Sequence, residues 1–252
     1  MKKLLLCSLL ISSMHIFSEL SQKDWALFTA INNGDFKSVK KALANGADVN
    51  ATDDLGETPL FWAVREGCIE TTEYLLNHGA KIDAIRNNDG ATVLHRATIN
   101  DFPDIVKLLL KHGAPVNIKN RYGNTALHEA STFNCTTIAQ LLLNHGADIN
   151  ATDKYGDTAL HAAIKGLPQS RGSIEAVTLL LDRGANLNAA NEEKITPLLW
   201  AIKRREKEIV QLLLNRGANL KAVDQNGNTA LDYALQSADM AIVKLLYAHG
   251  AH

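Results

Sequence analysis

Cysteine is scarce, three in 252 residues with none in a C-x-x-C pair, which excludes a disulfide scaffold and leaves no thiolate set for structural zinc or redox chemistry. An excess of one charge is missing too. Lysine and arginine number 26 against 27 acidic residues, a formal net charge of -1, so the strong positive field that general nucleic-acid binding needs is absent. The longest apolar stretch, residues 4–17, counts 14 positions even with its serines and histidine included, against about 20 for a membrane-spanning helix. There is no G-x-S-x-G, P-loop, H-E-x-x-H or dinucleotide glycine fingerprint, so no catalytic residue, metal ligand, cofactor or small-molecule substrate is assigned. What is present is apolar material, 46% of the chain beside 21% charged residues, enough to fold and unlike disordered or collagen-like compositions.

The N-terminus is a separate segment. Met1-Lys2-Lys3 followed by the apolar residues 4–11 has the order of a secretory signal, and residues 1–18 are read as one. Ser18 supplies a small residue for cleavage, although neither it nor Ile16 is the alanine such sites favour. This reading places the mature protein outside the cytoplasm, secreted or periplasmic, with membrane contact only through the signal-like segment. The competing reading is an uncleaved apolar helix packed on the first repeat of a cytoplasmic protein. Leu6 before Cys7 is not small, which argues against a lipid on that thiol.

The remainder repeats itself. A Gly-Ala pair follows a leucine-rich run at Gly46, Gly79, Gly113, Gly146, Gly184, Gly217 and Gly250, at separations of 33, 34, 33, 38, 33 and 33 residues. Thr58, Thr92, Thr125, Thr158, Thr196 and Thr229 each precede their glycine by 21 residues, except Thr158, which precedes it by 26. Leucine stands two after each threonine and alanine five after. The threonine, followed by Pro59, Pro197 or a helix former such as Ala126, predicts an N-cap and first helical residue. Leucine and alanine three apart share one buried face, where the small alanine admits a neighbouring helix. A second helix, as in Ile105-Val-Lys-Leu-Leu-Leu, ends at a glycine suited to the left-handed C-cap. Histidine or arginine stands before six of the seven glycines, His78, His112, His145, Arg183, Arg216 and His249, favouring the negative helix end when charged. Asp or Asn at 53, 87, 120, 153, 191 and 224 marks a turn.

These marks resemble the ankyrin repeat, whose pattern reads D-x-x-G-x-T-P-L-H-x-A through to L-L-x-x-G-A-D-V-N. Asn120-Arg-Tyr-Gly-Asn-Thr-Ala-Leu-His-Glu-Ala and Asp153-Lys-Tyr-Gly-Asp-Thr-Ala-Leu-His-Ala-Ala carry the likeness best, and it covers residues 24–252. The resemblance implies an all-α solenoid of stacked helix-turn-helix units with projecting hairpin-like loops. It divides the chain into a linker and capping repeat at 19–53 and six repeats at 54–86, 87–119, 120–152, 153–190, 191–223 and 224–252. Lys194 in place of the turn glycine, and Phe61, Leu199 and Asp232 in place of histidine, depart from the pattern and put loop geometry in question.

The chemistry-bearing residues have structural readings. His95, His128 and His161 recur in three successive repeats; stacked helices about 8 to 10 Å apart cannot bring them around one metal, so each is expected to bond an adjacent loop. Cys68 and Cys135 lie two repeats apart, beyond disulfide reach. Trp62, Trp200 and Tyr233 share one frame position and read as packing. The mixed charges of residues 203–208, Lys-Arg-Arg-Glu-Lys-Glu, read as a solvated face. Leu167-Pro-Gln-Ser-Arg171 is an insertion between two helices, either an added contact surface or neutral.

Ankyrin proteins typically bind other proteins, and the resemblance implies a monomeric, non-catalytic scaffold whose concave face takes a protein partner. Its outward, variable positions hold Arg121, Tyr122, Asn124, Phe133, Lys154, Tyr155, Asp157 and Lys165 in the third and fourth repeats. Exposed tyrosine and arginine are the residue types of binding hot spots. The alternatives are a structural or envelope spacer without a dedicated ligand, and an enzyme subunit.

Overall fold

The structure is a computed structural model that describes residues 20–166 and 172–251. The signal-like segment 1–18 and the insertion Leu167 to Arg171 lie outside the described residues. Those residues form fourteen α-helices and no strand, as the repeat reading requires, and they divide into two compact units, Met1–Pro115 and Val116–His252. None of the described helices is long and apolar enough to cross a membrane.

In the first unit α1 (Gln22–Asn32), α3 (Pro59–Arg65) and α5 (Val93–Ile99) pack in succession, and α2 (Phe36–Ala44), α4 (Ile69–Asn77) and α6 (Pro103–Lys111) form a second layer behind them. In the second unit α7 (Ala126–Thr132), α9 (Ala159–Lys165), α11 (Pro197–Lys203) and α13 (Ala230–Gln236) are the front layer, with α8 (Thr136–Asn144), α10 (Ile174–Asp182), α12 (Lys207–Asn215) and α14 (Met240–Ala248) behind. The spacing of apolar residues dictates both layers. In α6, Ile105, Val106, Leu109 and Leu110 are buried while Asp104, Lys107 and Lys111 face water, the i, i+3, i+4 stripe of an amphipathic helix. The alanines five after the threonines, Ala63, Ala97, Ala130, Ala163, Ala201 and Ala234, are wholly buried, because any larger side chain would push neighbouring front helices apart. Each buried leucine adds about 1.5–3 kcal/mol, but no helix pair can cover its own apolar face. Stacking is therefore the condition for folding.

The threonine starts of the front helices from Thr58 to Thr196 are buried, which makes their capping decisive. Thr125 and Thr158 each donate a backbone N–H to the Nδ1 of the histidine three residues on, His128 and His161, at 3.2 Å. Accepting that bond makes Nδ1 unprotonated and puts the proton on Nε2. From there His128 donates to the Asp157 carbonyl and His161 to the Ile195 carbonyl, both at 3.1 Å. One imidazole thus closes a helix start and reaches the next hairpin. At Thr229 the acid Asp232 takes the same place, accepting from the threonine N–H at 2.8 Å. Helices α3 and α11 lack such a box and begin instead with Pro59 and Pro197, whose missing N–H removes one of the donors to be satisfied. The histidines at the opposite ends work in reverse: in His78, His145 and His249 Nδ1 lies 2.8 Å from the carbonyl four residues back and must carry the proton.

The marker glycines all take positive φ, from 82° at Gly113 to 90° at Gly250, as a left-handed C-cap demands. At the hairpins the requirement is met differently. Lys194 adopts φ 59° where its counterparts are glycine, so the loop keeps its path at the cost of a strained side-chain-bearing residue. Gly123 answers a second demand: a Cβ there would sit 2.5 Å from the Lys154 nitrogen, the atom that donates to the Tyr122 carbonyl at 3.0 Å. At Gly227 a Cβ would meet nothing within 4 Å. Cys68 is half-buried, Cys135 is buried, and neither forms a disulfide among the described residues.

Two outcomes follow for stability. Gly123→Ala is expected to lower the unfolding free energy by about 2–4 kcal/mol, because a clash adds to the left-handed penalty, and Gly227→Ala by about 1 kcal/mol. Urea unfolding of the two variants checks this, and equal losses would contradict the close approach at Gly123. Burial also depresses the pKa of His128 and His161 below the ordinary 6.5, so below that pH the unfolded chain takes up protons that the folded chain refuses. Stability is full above 6.5 and falls as the pH drops through it towards the folded values. The lowered carboxylates of Asp35, Asp89 and Asp232 start from 3.8 and lose their contribution only in more acidic solution, whereas Asp53, raised by burial, acts in the opposite sense. Urea midpoints at pH 7.5 and 5.5 should differ less in a His128→Gln, His161→Gln protein, since glutamine closes the same capping box without titrating. An unchanged difference would refute the assignment.

Candidate functional site

The hairpins that precede the front helices are built from one side chain each. The Oδ1 of Asp153 accepts the N–H groups of Tyr155 and Asp157. Asn120, Asn191 and Asp224 hold their loops in the same way. Successive loops of the second unit are then joined backbone to backbone, Lys154 N–H to the Tyr122 carbonyl, Glu192 to Tyr155 and Gln225 to Glu193, at 2.9–3.0 Å. The loop tips are thereby rigid carriers for whatever side chains occupy them.

The eight residues singled out from the sequence divide into two groups. Arg121, Tyr122, Phe133, Lys154 and Tyr155 are exposed, Tyr122 by 53% and Tyr155 by 56%. The Lys154 ammonium lies over both tyrosine rings, 4.8 Å from the Tyr122 centroid and 4.9 Å from that of Tyr155, a cation–π arrangement that holds the three side chains as one cluster. Asn124, Asp157 and Lys165 are engaged within the fold. Asp157, expected to face outward, is 2% exposed: its carboxylate accepts from Asn191 at 2.8 Å and pairs with Lys165. Asn124 donates to the buried carboxylate of Glu129 at 3.1 Å. A carboxylate withdrawn from water needs such partners, and here they come from its own repeat and the next.

Three of the six repeats share a pairing that the sequence reading missed. The residue before the threonine meets the one eight positions on: Asp157 with Lys165, Asn228 with Gln236, and in the first unit Glu57 with Arg65 at 3.1 Å. Glu57 also pairs with Arg86 at 2.9 Å, which in turn binds Asp89. A second pairing joins the turn residue to the one nine on. Trp62 donates to Asp53 at 3.0 Å and Tyr233 to Asp224 at 2.7 Å; burial, and after it this bond, pushes the tyrosine up to about 12, and the same bond holds Asp224 well below the ordinary carboxylate value. These aromatics, read from the sequence as packing, are hydrogen-bonding groups as well. Trp200 lacks this pairing. Asn191 spends its oxygen on two backbone N–H groups and its amide on Asp157, so the buried indole N–H of Trp200 finds no acceptor among the described residues. Lysines flank its ring instead, Lys165 at 4.7 Å and Lys203 at 4.9 Å.

The run 203–208 is only partly a solvated face. Lys203 and Arg205 are exposed, but Glu206 is buried because its carboxylate accepts the Gly172 N–H at 3.0 Å. Among the described residues no group of three His, Cys, Asp or Glu side chains is placed to hold a metal ion.

Comparison with known proteins places this geometry. The family model for ankyrin repeats in three copies matches residues 27–120, 113–191 and 168–252. The human SMC5-SMC6 complex localization factor protein 1 is 33% identical over 111 residues, 44% of this chain and 10% of that protein. The mouse B-cell lymphoma 3 protein homolog is 34% identical over 95 residues, 37% of this chain and 21% of that one. The chain therefore spans a small part of the length of these relatives. The crystal structure of the ankyrin repeat domain of Bcl-3, described as a unique member of the IkappaB protein family, superposes with a TM-score of 0.78 at 28% identity, covering 88% of this chain and 97% of that domain. Repeats of this kind are typically non-catalytic interaction modules, and on the family match and the structural likeness together this chain belongs to the ankyrin repeat family.

Proposed function

We propose that the chain is a protein-binding scaffold whose partner docks on the loop tips and front helices of the second unit, with Tyr122 and Tyr155 as anchors and Arg121, Lys154 and Phe133 around them. The supporting observation is the cluster itself: two tyrosines more than half exposed, held by one lysine. A soluble chain gains nothing in folding from showing such rings to water, whereas tyrosine brings large contact area at small entropic cost to an interface. Because the tips are bonded to one another before any partner arrives, little ordering remains to be done on binding. Asn124, Asp157 and Lys165 serve this reading as the support under the tips. The scaffold binds as a monomer in this proposal, and it acts without a catalytic group or cofactor.

Replacing both tyrosines, Tyr122→Ala with Tyr155→Ala, should weaken capture of a crosslinked protein partner by about 2 kcal/mol or more while the circular dichroism stays that of the parent. Undiminished capture by a folded variant would remove the site. Export is part of the same proposal, resting on Met1-Lys2-Lys3 and the apolar run behind it. Mass spectrometry of the mature protein should then find Glu19 at the N-terminus, and a chain that retains Met1 would refute it.

A further inference from the structure

The six loop tips differ in charge. They carry Asp54-Leu55, Asn88-Asp89, Arg121-Tyr122, Lys154-Tyr155, Glu192-Glu193 and Gln225-Asn226, and a cation stands beside an aromatic ring only at the third and fourth. Two lysines of the second unit share an unusual state. The Lys154 ammonium rests on Tyr122 and Tyr155, and that of Lys203 on Trp200. Both residues are exposed, and neither enters an ion pair among the described residues. Lys165, the third lysine on an aromatic face, is neutralised by Asp157. The elements are connected: the loop of Lys154 supplies Asp157, Asp157 holds Lys165, and Lys165 shares the Trp200 ring with Lys203.

We infer that this surface takes an acidic, extended segment of a partner protein, its carboxylates received by Lys154 and Lys203 with Arg121 beside them; the inference rests on the docking face proposed above. A lysine free in water loses much rotamer entropy when it forms an ion pair, but an ammonium already confined over aromatic faces has lost part of it beforehand. A carboxylate approaching such a site keeps the cation–π contact and gains the charge. Polyanions fit poorly. Phosphate-backbone binding draws its affinity from many contacts in a broadly positive field, while this chain has a net charge of -1 and places Glu192-Glu193 on the tip next to Lys154. A short segment with separated acids avoids those glutamates. The tips of Arg121 and Lys154 are adjacent and follow the helix stacking at about 8 to 10 Å, and an extended chain advances about 3.3 Å per residue, so acids roughly three residues apart would meet these two cations on the side of Lys154 away from the glutamates.

The test is selection of a phage-displayed library of random dodecapeptides on the full-length chain, followed by binding of the recovered peptides in solution. Enrichment of Asp and Glu at a spacing of about three, with binding at least tenfold weaker to a Lys154→Glu, Lys203→Glu variant and intermediate to Lys154→Gln, Lys203→Gln, is the expected result. Recovered peptides without acidic enrichment, or indifferent to the charge reversal, overturn the inference. So does an empty selection, or tighter binding of an oligo-dT strand or of phosphatidylserine vesicles than of any peptide. Non-acidic peptides that are lost with Tyr122→Ala and Tyr155→Ala would sink the acidic chemistry and leave the docking face standing. Peptides that ignore both pairs of substitutions would sink both.

Discussion

The contact on which the second unit depends is the bond from a buried imidazole to the carbonyl of the following loop. His128 and His161 each accept a backbone N–H at the start of their own helix and donate to the next repeat, so the order within a repeat and the order between repeats rest on one side chain. Leaving either end of that bond unmet would strand a polar group away from water, which costs more than the bond itself contributes. The carbonyl that His128 reaches belongs to Asp157, in the loop that carries Lys154 and Tyr155. The proposed docking surface is therefore positioned from beneath by a structural histidine.

Buried charge is the second constraint. Glu57 and Asp157 sit almost wholly inside the protein, and each is met by a cation from the end of its own front helix. Such pairs rarely add much stability of their own, but once the carboxylate is buried the cation is obligatory. This separates the lysines of the second unit by role. Lys165 is committed to Asp157, whereas Lys154 and Lys203 lean on aromatic rings, with their charge directed outward. The unmatched indole of Trp200 follows from the same pairing, since the second polar atom of Asn191 is an N–H donor directed at Asp157, where Asp53 has a second oxygen that accepts from Trp62.

Much of this was legible in the chain. Threonine, glycine and the small alanine act through their own backbone conformation or size, so their recurrence located caps, turns and close helix contacts without reference to anything distant. The exposed tips at Tyr122 and Tyr155 followed from the same frame. Asp157 and Glu206 did not. An acidic residue in a loop is usually solvated, and only the arrival of Asn191 and Lys165 in one case, and of the Gly172 N–H in the other, makes burial tolerable. The pairing at eight and nine residues was present in the sequence as Glu57 with Arg65 and Asp53 with Trp62, but it is not a helical or strand period and so draws no notice until a loop and a helix end are seen side by side.

The amino-acid sequence by itself determined that a 33-residue unit is copied along the chain, where each helix starts and stops, and which residues reach the loop tips, because those features depend on local conformational preference and on periodic burial. Tertiary structure decided which charges are spent inside the protein and which remain for a partner. That outcome depends on distances between residues of successive repeats, and a charged side chain is stable in either place, according to whether a counter-charge or water is within reach.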